Sequence, residues 1–176
     1  GYLVRPHIVD RIVDGDGNIV KSADKSYRRQ VISESTSATL SDILRQNVAS
    51  GTARGGYVSG YRVCGKTGTS EKVDKHNQDL LKDPTARMTY IASYCGFAPA
   101  EDPKYALLVF FDEPDDLNNG GYTAGNAIAG PIFSAIMQEL LPYLGVEVMY
   151  SEDEYNEQRD TVAPSVAGKT LGEALE

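Results

Sequence analysis

Lys66, Thr67, Gly68, Thr69 and Ser70 put one cation, three hydroxyls and a side-chain-free position into five consecutive residues. An approach of Tyr61-Arg62-Val63-Cys64-Gly65 leads into them. On a strand these residue types could hold an acyl substrate. The strand edge offers main-chain hydrogen bonds, and alternate side chains face the pocket. Lys66 supplies a fixed cation that stabilises negative charge and lowers the pKa of neighbouring acids. Gly68 leaves room for substrate to approach the backbone. Thr69 and Ser70 offer hydroxyls to a carboxylate or carbonyl. A short tripeptide arises by chance, and an exposed strand-to-loop transition would explain it as simply. The surrounding elements favour chemistry.

Those elements can be read in order. His7 to Val13 is β-prone, Asp14-Gly15-Asp16-Gly17 is turn chemistry, and Asn18-Ile19-Val20 returns, so residues 7–21 are predicted as a hairpin. Asp-x-Asp-Gly also invites a calcium loop, but the later acidic ligand of an EF-hand is missing. Residues 33–49 read as a helix with Ser33 as N-cap, Glu34 in the first turn and Gly51 as its stop. Leu40, Ile43, Leu44 and Val48 form its expected apolar face. A Gly-rich stretch, 51–60, precedes the lysine strand, and a polar loop, 71–87, follows it. Two strands come next, Met88 to Phe97 and Tyr105 to Phe111. The second is nearly continuous in apolar residues, as expected of a strand buried on both faces. The turn at Ala100-Glu101-Asp102-Pro103 makes an antiparallel meander. A helix is expected from Ala127 to Leu141, with Pro131 in its first turn and Ile132, Phe133, Ile136, Met137, Leu140 and Leu141 facing the core. The fold class is therefore α/β (α+β): an antiparallel sheet with helices packed on its faces.

At 176 residues the chain suits one domain with a real core. Its formal net charge of −8 excludes a nucleic-acid surface, which should be basic. No run approaches the roughly 20 apolar residues of a membrane helix. No signal peptide is visible, and the chain opens on Gly1 without a methionine, as a piece of a longer protein would. Two cysteines do not make a disulfide framework.

Several segments, in order, carry a family resemblance. Val63 to Ser70, with Lys66-Thr67-Gly68 as the third motif, is followed by Ile91 to Ala100, Tyr105 to Val109 and Ala129-Gly130-Pro131-Ile132-Phe133. Upstream stand Val4-Arg5-Pro6-His7-Ile8-Val9 and Gln30-Val31-Ile32-Ser33. Together they resemble the C-terminal half of a class B penicillin-binding protein transpeptidase domain, of the penicillin-binding/serine β-lactamase-like fold. Residues 1–150 are assigned to that portion, 151–161 to an acidic linker, and 162–176 to a segment that resembles the first turns of a PASTA domain. The combination looks most like the Gram-positive sporulation enzymes of the stage V sporulation protein D group.

The resemblance implies a peptidoglycan D,D-transpeptidase. A serine attacks the stem peptide, an amine on a neighbouring strand takes the acyl group, and β-lactams trap the same serine. It implies Lys66, Thr67, Gly68, Thr69 and Ser70 as the substrate-binding strand, with Lys66 catalytic and Thr69 on the substrate or β-lactam carboxylate. It also implies a place on the extracytoplasmic face of the bacterial membrane, an anchor in a segment outside this chain, and the cell-wall synthesis machinery as partner. No cofactor is required for the chemistry. A class A or C lactamase fits less well, because the tail has no use there. A non-catalytic muropeptide-binding module is the alternative.

Two departures from the family pattern stand out. Ser22-Ala23-Asp24-Lys25 matches S-x-x-K literally, yet sits in a charged run after the hairpin and not at a helix start. No Ser-x-Asn occurs. The nucleophile is expected on the N-terminal half of the same protein, and this chain alone should be inert toward penicillin. The second departure is Cys64 and Cys95, where the family carries small apolar residues. If Val63 to Thr69 pairs with Tyr90 to Cys95, the two cysteines stand opposite each other. Two buried thiols, a disulfide, and a structural zinc held by Cys64, Asp74, His76 and Cys95 are the three readings.

Overall fold

A computed structural model describes residues 1–72, 89–114 and 124–151. The chain divides into two compact units, Gly1–Ile43 and Leu44–Glu176.

The first unit is built from short strands. β1 (Tyr2–Leu3) pairs antiparallel with β4 (Arg29–Gln30), and β2 (Arg11–Val13) pairs antiparallel with β3 (Ile19–Ser22). The expected hairpin forms, and its turn is an Asp14 device. The Asp14 carboxylate accepts the N–H groups of Asp16 and Asn18 at 3.0 and 2.9 Å, and the Asn18 amide at 3.1 Å. Three local bonds to a protein carboxylate leave no calcium reading necessary here. Ser22 ends β3, and Lys25 pairs with Asp10 at 2.6 Å, so Ser22 to Lys25 is surface structure and starts no helix.

Helix α1 (Glu34–Ala49) begins where expected, because the Ser33 hydroxyl accepts the Thr36 N–H at 3.1 Å. Of its expected apolar face, Val48 is buried while Leu40 and Ile43 are exposed. The unit boundary falls within this helix.

The second unit carries the core. β5 (Cys64–Glu71), β6 (Tyr90–Ala98) and β7 (Tyr105–Asp112) form an antiparallel meander in the order β5-β6-β7. Helix α2 (Gly125–Tyr143) lies against it. Phe133, Met137 and Leu141, spaced at i, i+4 and i+8, are fully buried, with Ala129 one turn before them. Ile132 and Ile136, expected in the core, lie to one side of that stripe and are exposed. On the sheet, Tyr94 is buried and its ring centroid stands 4.7 Å from that of Phe133. Its hydroxyl donates to the Ala53 carbonyl at 2.7 Å, and burial raises its pKa, with the neighbouring Cys64 adding to the effect. A 3-10 turn (Arg54–Gly56) closes the core beside that ring; a Cβ on Gly56 would stand 2.1 Å from it.

β7 departs from its reading. Tyr105, Leu107, Val109 and Phe111 pack on the core, while Leu108 is 58% and Phe110 62% exposed. The strand is covered on the α2 face alone among the described residues, so the apolar run alternates in burial. Pro131 also falls later than expected, at the seventh position of α2, because the helix starts earlier than Ala127.

Candidate functional site

The pleat of β5 divides the five candidate residues. Lys66, Gly68 and Ser70 pair with Cys95, Ser93 and Ile91, and share one face of the sheet. Thr67 and Thr69 pair with Tyr94 and Ala92, on the face that α2 covers. The strand therefore does not gather all five side chains at one point.

Its edge gathers main-chain groups as well. The Lys72 N–H donates to the Thr89 carbonyl at 3.2 Å, extending the β5–β6 ladder by one pair. Antiparallel pairs alternate in direction, so Ser70, Gly68 and Lys66 also turn their main-chain groups to β6. Gly65, Thr67, Thr69 and Glu71 then turn theirs to the outer edge. The Gly65 carbonyl there accepts the Asn47 side-chain amide at 3.1 Å. Asn47 also receives the Thr52 N–H at 3.0 Å, and so ties the end of α1 to the start of β5. Beyond Gly65, the edge at Thr67, Thr69 and Glu71 has no neighbouring strand among the described residues.

Lys66 reaches round to that edge. Its Nζ donates to the Thr67 carbonyl at 2.9 Å and lies 3.4 Å from Thr67 Oγ1, with the side chain exposed. A cation thus stands at a strand edge with no neighbouring strand among the described residues, an arrangement able to receive an extended anionic acyl chain. Gly68 is required for close packing: a Cβ would meet Ser93 Oγ at 2.5 Å. Ser93 Oγ in turn donates to the Gly68 carbonyl at 3.3 Å. Thr69 Oγ1 accepts the Gly125 N–H, at 3.2 Å, from the start of α2. Ser70 donates to the Glu71 carbonyl at 3.4 Å and faces away from Thr69. At the far end Lys72 bridges Glu113 at 2.7 Å and Asp112 at 2.9 Å, and these two partners raise its pKa, Glu113 foremost.

Asn47, Ser93 and Gly125 escape the sequence reading. A helix-end asparagine, a strand serine and a glycine ahead of a helix carry no signal of their own. Only the tertiary pairing gives them partners on β5.

The cysteine pairing needs a correction. The register sets Cys64 against Phe97 and Cys95 against Lys66, so the cysteines are two places apart along the ladder, not opposite. The conditional pairing of Val63 to Thr69 with Tyr90 to Cys95 is off by two residues, because Cys64 pairs with Phe97 near the end of β6 and Thr69 with Ala92. Both sulfurs are thiols, Cys64 buried and Cys95 exposed, which sets aside the disulfide and the pair of buried thiols alike. Asp74 and His76 lie outside the described residues. Among the described residues no group of three His, Cys, Asp or Glu side chains is placed to hold a metal.

A three-stranded antiparallel sheet backed by a core helix is a fold of the transpeptidase type, with Lys66 and Thr69 along an edge that has no neighbouring strand among the described residues. The sequence agrees: residues 1–138 match the penicillin binding protein transpeptidase domain, and the chain belongs to that family. It is 35% identical over 178 residues to the stage V sporulation protein D of Bacillus subtilis strain 168, covering 98% of this chain and 26% of that protein. It is 34% identical over 127 residues to a probable peptidoglycan D,D-transpeptidase PenA of Neisseria flavescens, covering 72% of this chain and 29% of the relative. Among solved structures it resembles a peptidoglycan glycosyltransferase from Burkholderia ambifaria, with a TM-score of 0.55 and 29% identity over 80% of this chain and 35% of that one. The chain thus spans 26% and 29% of the length of the two relatives and 35% of that solved chain. The family match stops short of residues 162–176, where the PASTA-like segment was expected and which also lie outside the described residues. Among the described residues no helix is long and apolar enough to cross a membrane.

Proposed function

We propose that this chain supplies the substrate-binding strand of a peptidoglycan D,D-transpeptidase, and that the rest of the same protein supplies the serine. The observation that carries this is the outer edge of β5, which has no neighbouring strand among the described residues: Thr67 and Thr69 turn main-chain groups outward, with the Lys66 ammonium on the Thr67 carbonyl. A stem peptide would lie along that edge as an added strand. The serine Oγ attacks the D-Ala carbonyl, its proton leaves with the terminal D-Ala, and an ester to the serine forms. An amine from a neighbouring stem then displaces the serine and forms the cross-link amide. Lys66 holds positive charge next to the developing oxyanion, and the Thr69 hydroxyl binds the terminal carboxylate. β-Lactams fit the same edge, carrying a carboxylate and an acyl group. The site works on the extracytoplasmic face of the membrane, where its polymer is, and the likeness to the stage V sporulation protein D favours a role in spore cell-wall synthesis.

The test is labelling with a fluorescent penicillin. The complete protein is expected to acquire one covalent label per chain, on a serine outside these 176 residues. The 176-residue chain alone is expected to acquire none. Covalent labelling of this chain by itself would overturn the division of labour.

A further inference from the structure

Helix α2 begins without a cap of its own. Its N-cap residue is Ala124, in an extended conformation (φ −68°, ψ 139°) with no side-chain hydrogen bond to the helix. An orphan N–H in the first turn needs an acceptor. The Gly125 N–H finds it across the fold, at Thr69 Oγ1 on β5. The approach is close: a Cβ on residue 125 would stand 2.1 Å from the Ser93 carbonyl oxygen and 2.6 Å from that of Gly68. Residue 125 is buried and Thr69 exposed, so the pair spans from the core to the outer edge of the sheet.

This contact has a consequence for the hydroxyl. Thr69 Oγ1 carries one hydrogen and two lone pairs. With one lone pair on the Gly125 N–H, the hydroxyl hydrogen and the second lone pair remain for another partner. The stiff χ1 of threonine helps to hold the hydroxyl in place. We propose that Gly125 is a positioning residue, whose main-chain N–H sets Thr69 as an outward donor to a substrate carboxylate. The inference rests on the carboxylate-binding reading of Thr69 given above. Gly125 acts through Thr69 and touches no substrate. Any side chain at position 125 would push α2 off the strand and free the hydroxyl to rotate.

The experiment uses the complete protein and two probes, a penicillin and its methyl ester, which differ only in the carboxylate. The readout is the ratio of their acylation rates. Thr69→Val is expected to lower that ratio about tenfold, the usual effect of one lost charge-assisted hydrogen bond. Gly125→Ala is expected to lower it by a similar factor, and the double variant to fall no further than Thr69→Val. Gly125→Ala slowing both probes equally, or adding its full effect to Thr69→Val, would overturn the proposal and leave the carboxylate reading intact. A ratio unchanged in Thr69→Val would instead sink the carboxylate reading itself, and the positioning role with it. Amide hydrogen exchange at Gly125 decides the matter if Gly125→Ala fails to fold. Exchange should speed at least about tenfold in Thr69→Val and return to the original rate in Thr69→Ser. Unchanged exchange in Thr69→Val would overturn the contact.

Discussion

Two antiparallel pairs in this chain are held by opposite means. In the β2–β3 hairpin every strand residue is exposed. Its order comes from the Asp14 turn and from charges such as Lys25 on Asp10. In the β5–β6 pair, alternate residues of β6 are buried against α2, with Tyr94 on Phe133 at the centre. Local polar bonds weaken with salt and acid, whereas a packed core does not. The candidate site belongs to the second kind. β5 can stand without a neighbouring strand on its outer edge, among the described residues, because its inner edge and one face are held by the core.

Phe133→Ala should produce the largest effect. It removes a fully buried ring and is expected to destabilise the β5–β6–β7 unit by about 3–5 kcal/mol. Denaturant unfolding followed by NMR would show the loss in β6 resonances, with the β2–β3 turn resonances unchanged in the folded protein. Equal perturbation of both would break the contrast. Asn47→Ala comes next. It removes the bond to the Gly65 carbonyl and the acceptor for Thr52, at a cost of about 1–3 kcal/mol in the same unit. A stability unchanged within error would show that α1 does not anchor the strand.

The smallest effect is one of pH. Hydrogen bonds from the Asn18 main chain and side chain, foremost among several, hold the Asp14 carboxyl below its ordinary range. Its folded pKa is depressed, so its stabilisation is complete above the ordinary carboxylate pKa of about 3.9 and fades as pH falls through the folded value. Acid titration by NMR should therefore loosen the Asn18 amide while β6 stays protected. Loosening of β6 first would reverse the ranking of the two regions.

Much of this was legible in the sequence. Ser33 and Gly51 marked both ends of α1, and the Lys66 strand with its two successors was readable from β-prone runs and turn residues. What escaped depends on partners distant along the chain. α2 starts at Gly125, not Ala127, because its first N–H is accepted by Thr69, a residue 56 positions away. The cysteine register differed by two residues, because composition marks two adjacent strands without fixing which residues pair across them. Leu108 and Phe110 read as core because hydrophobicity marks a strand that is able to be buried, not one that is covered.

The central claim is that the outer edge of β5, with Lys66 beside it, is the acyl-binding wall. Fluorescent-penicillin labelling of the complete protein carrying Lys66→Ala tests it most directly, with thermal unfolding measured on the same sample. Lys66 is exposed and its ammonium bonds to the neighbouring Thr67, so the melting temperature should stay near that of the parent. The acylation rate should fall by at least about a hundredfold, as for loss of one preorganised charge at a developing oxyanion. A folded Lys66→Ala protein that acylates at the parent rate would contradict the account.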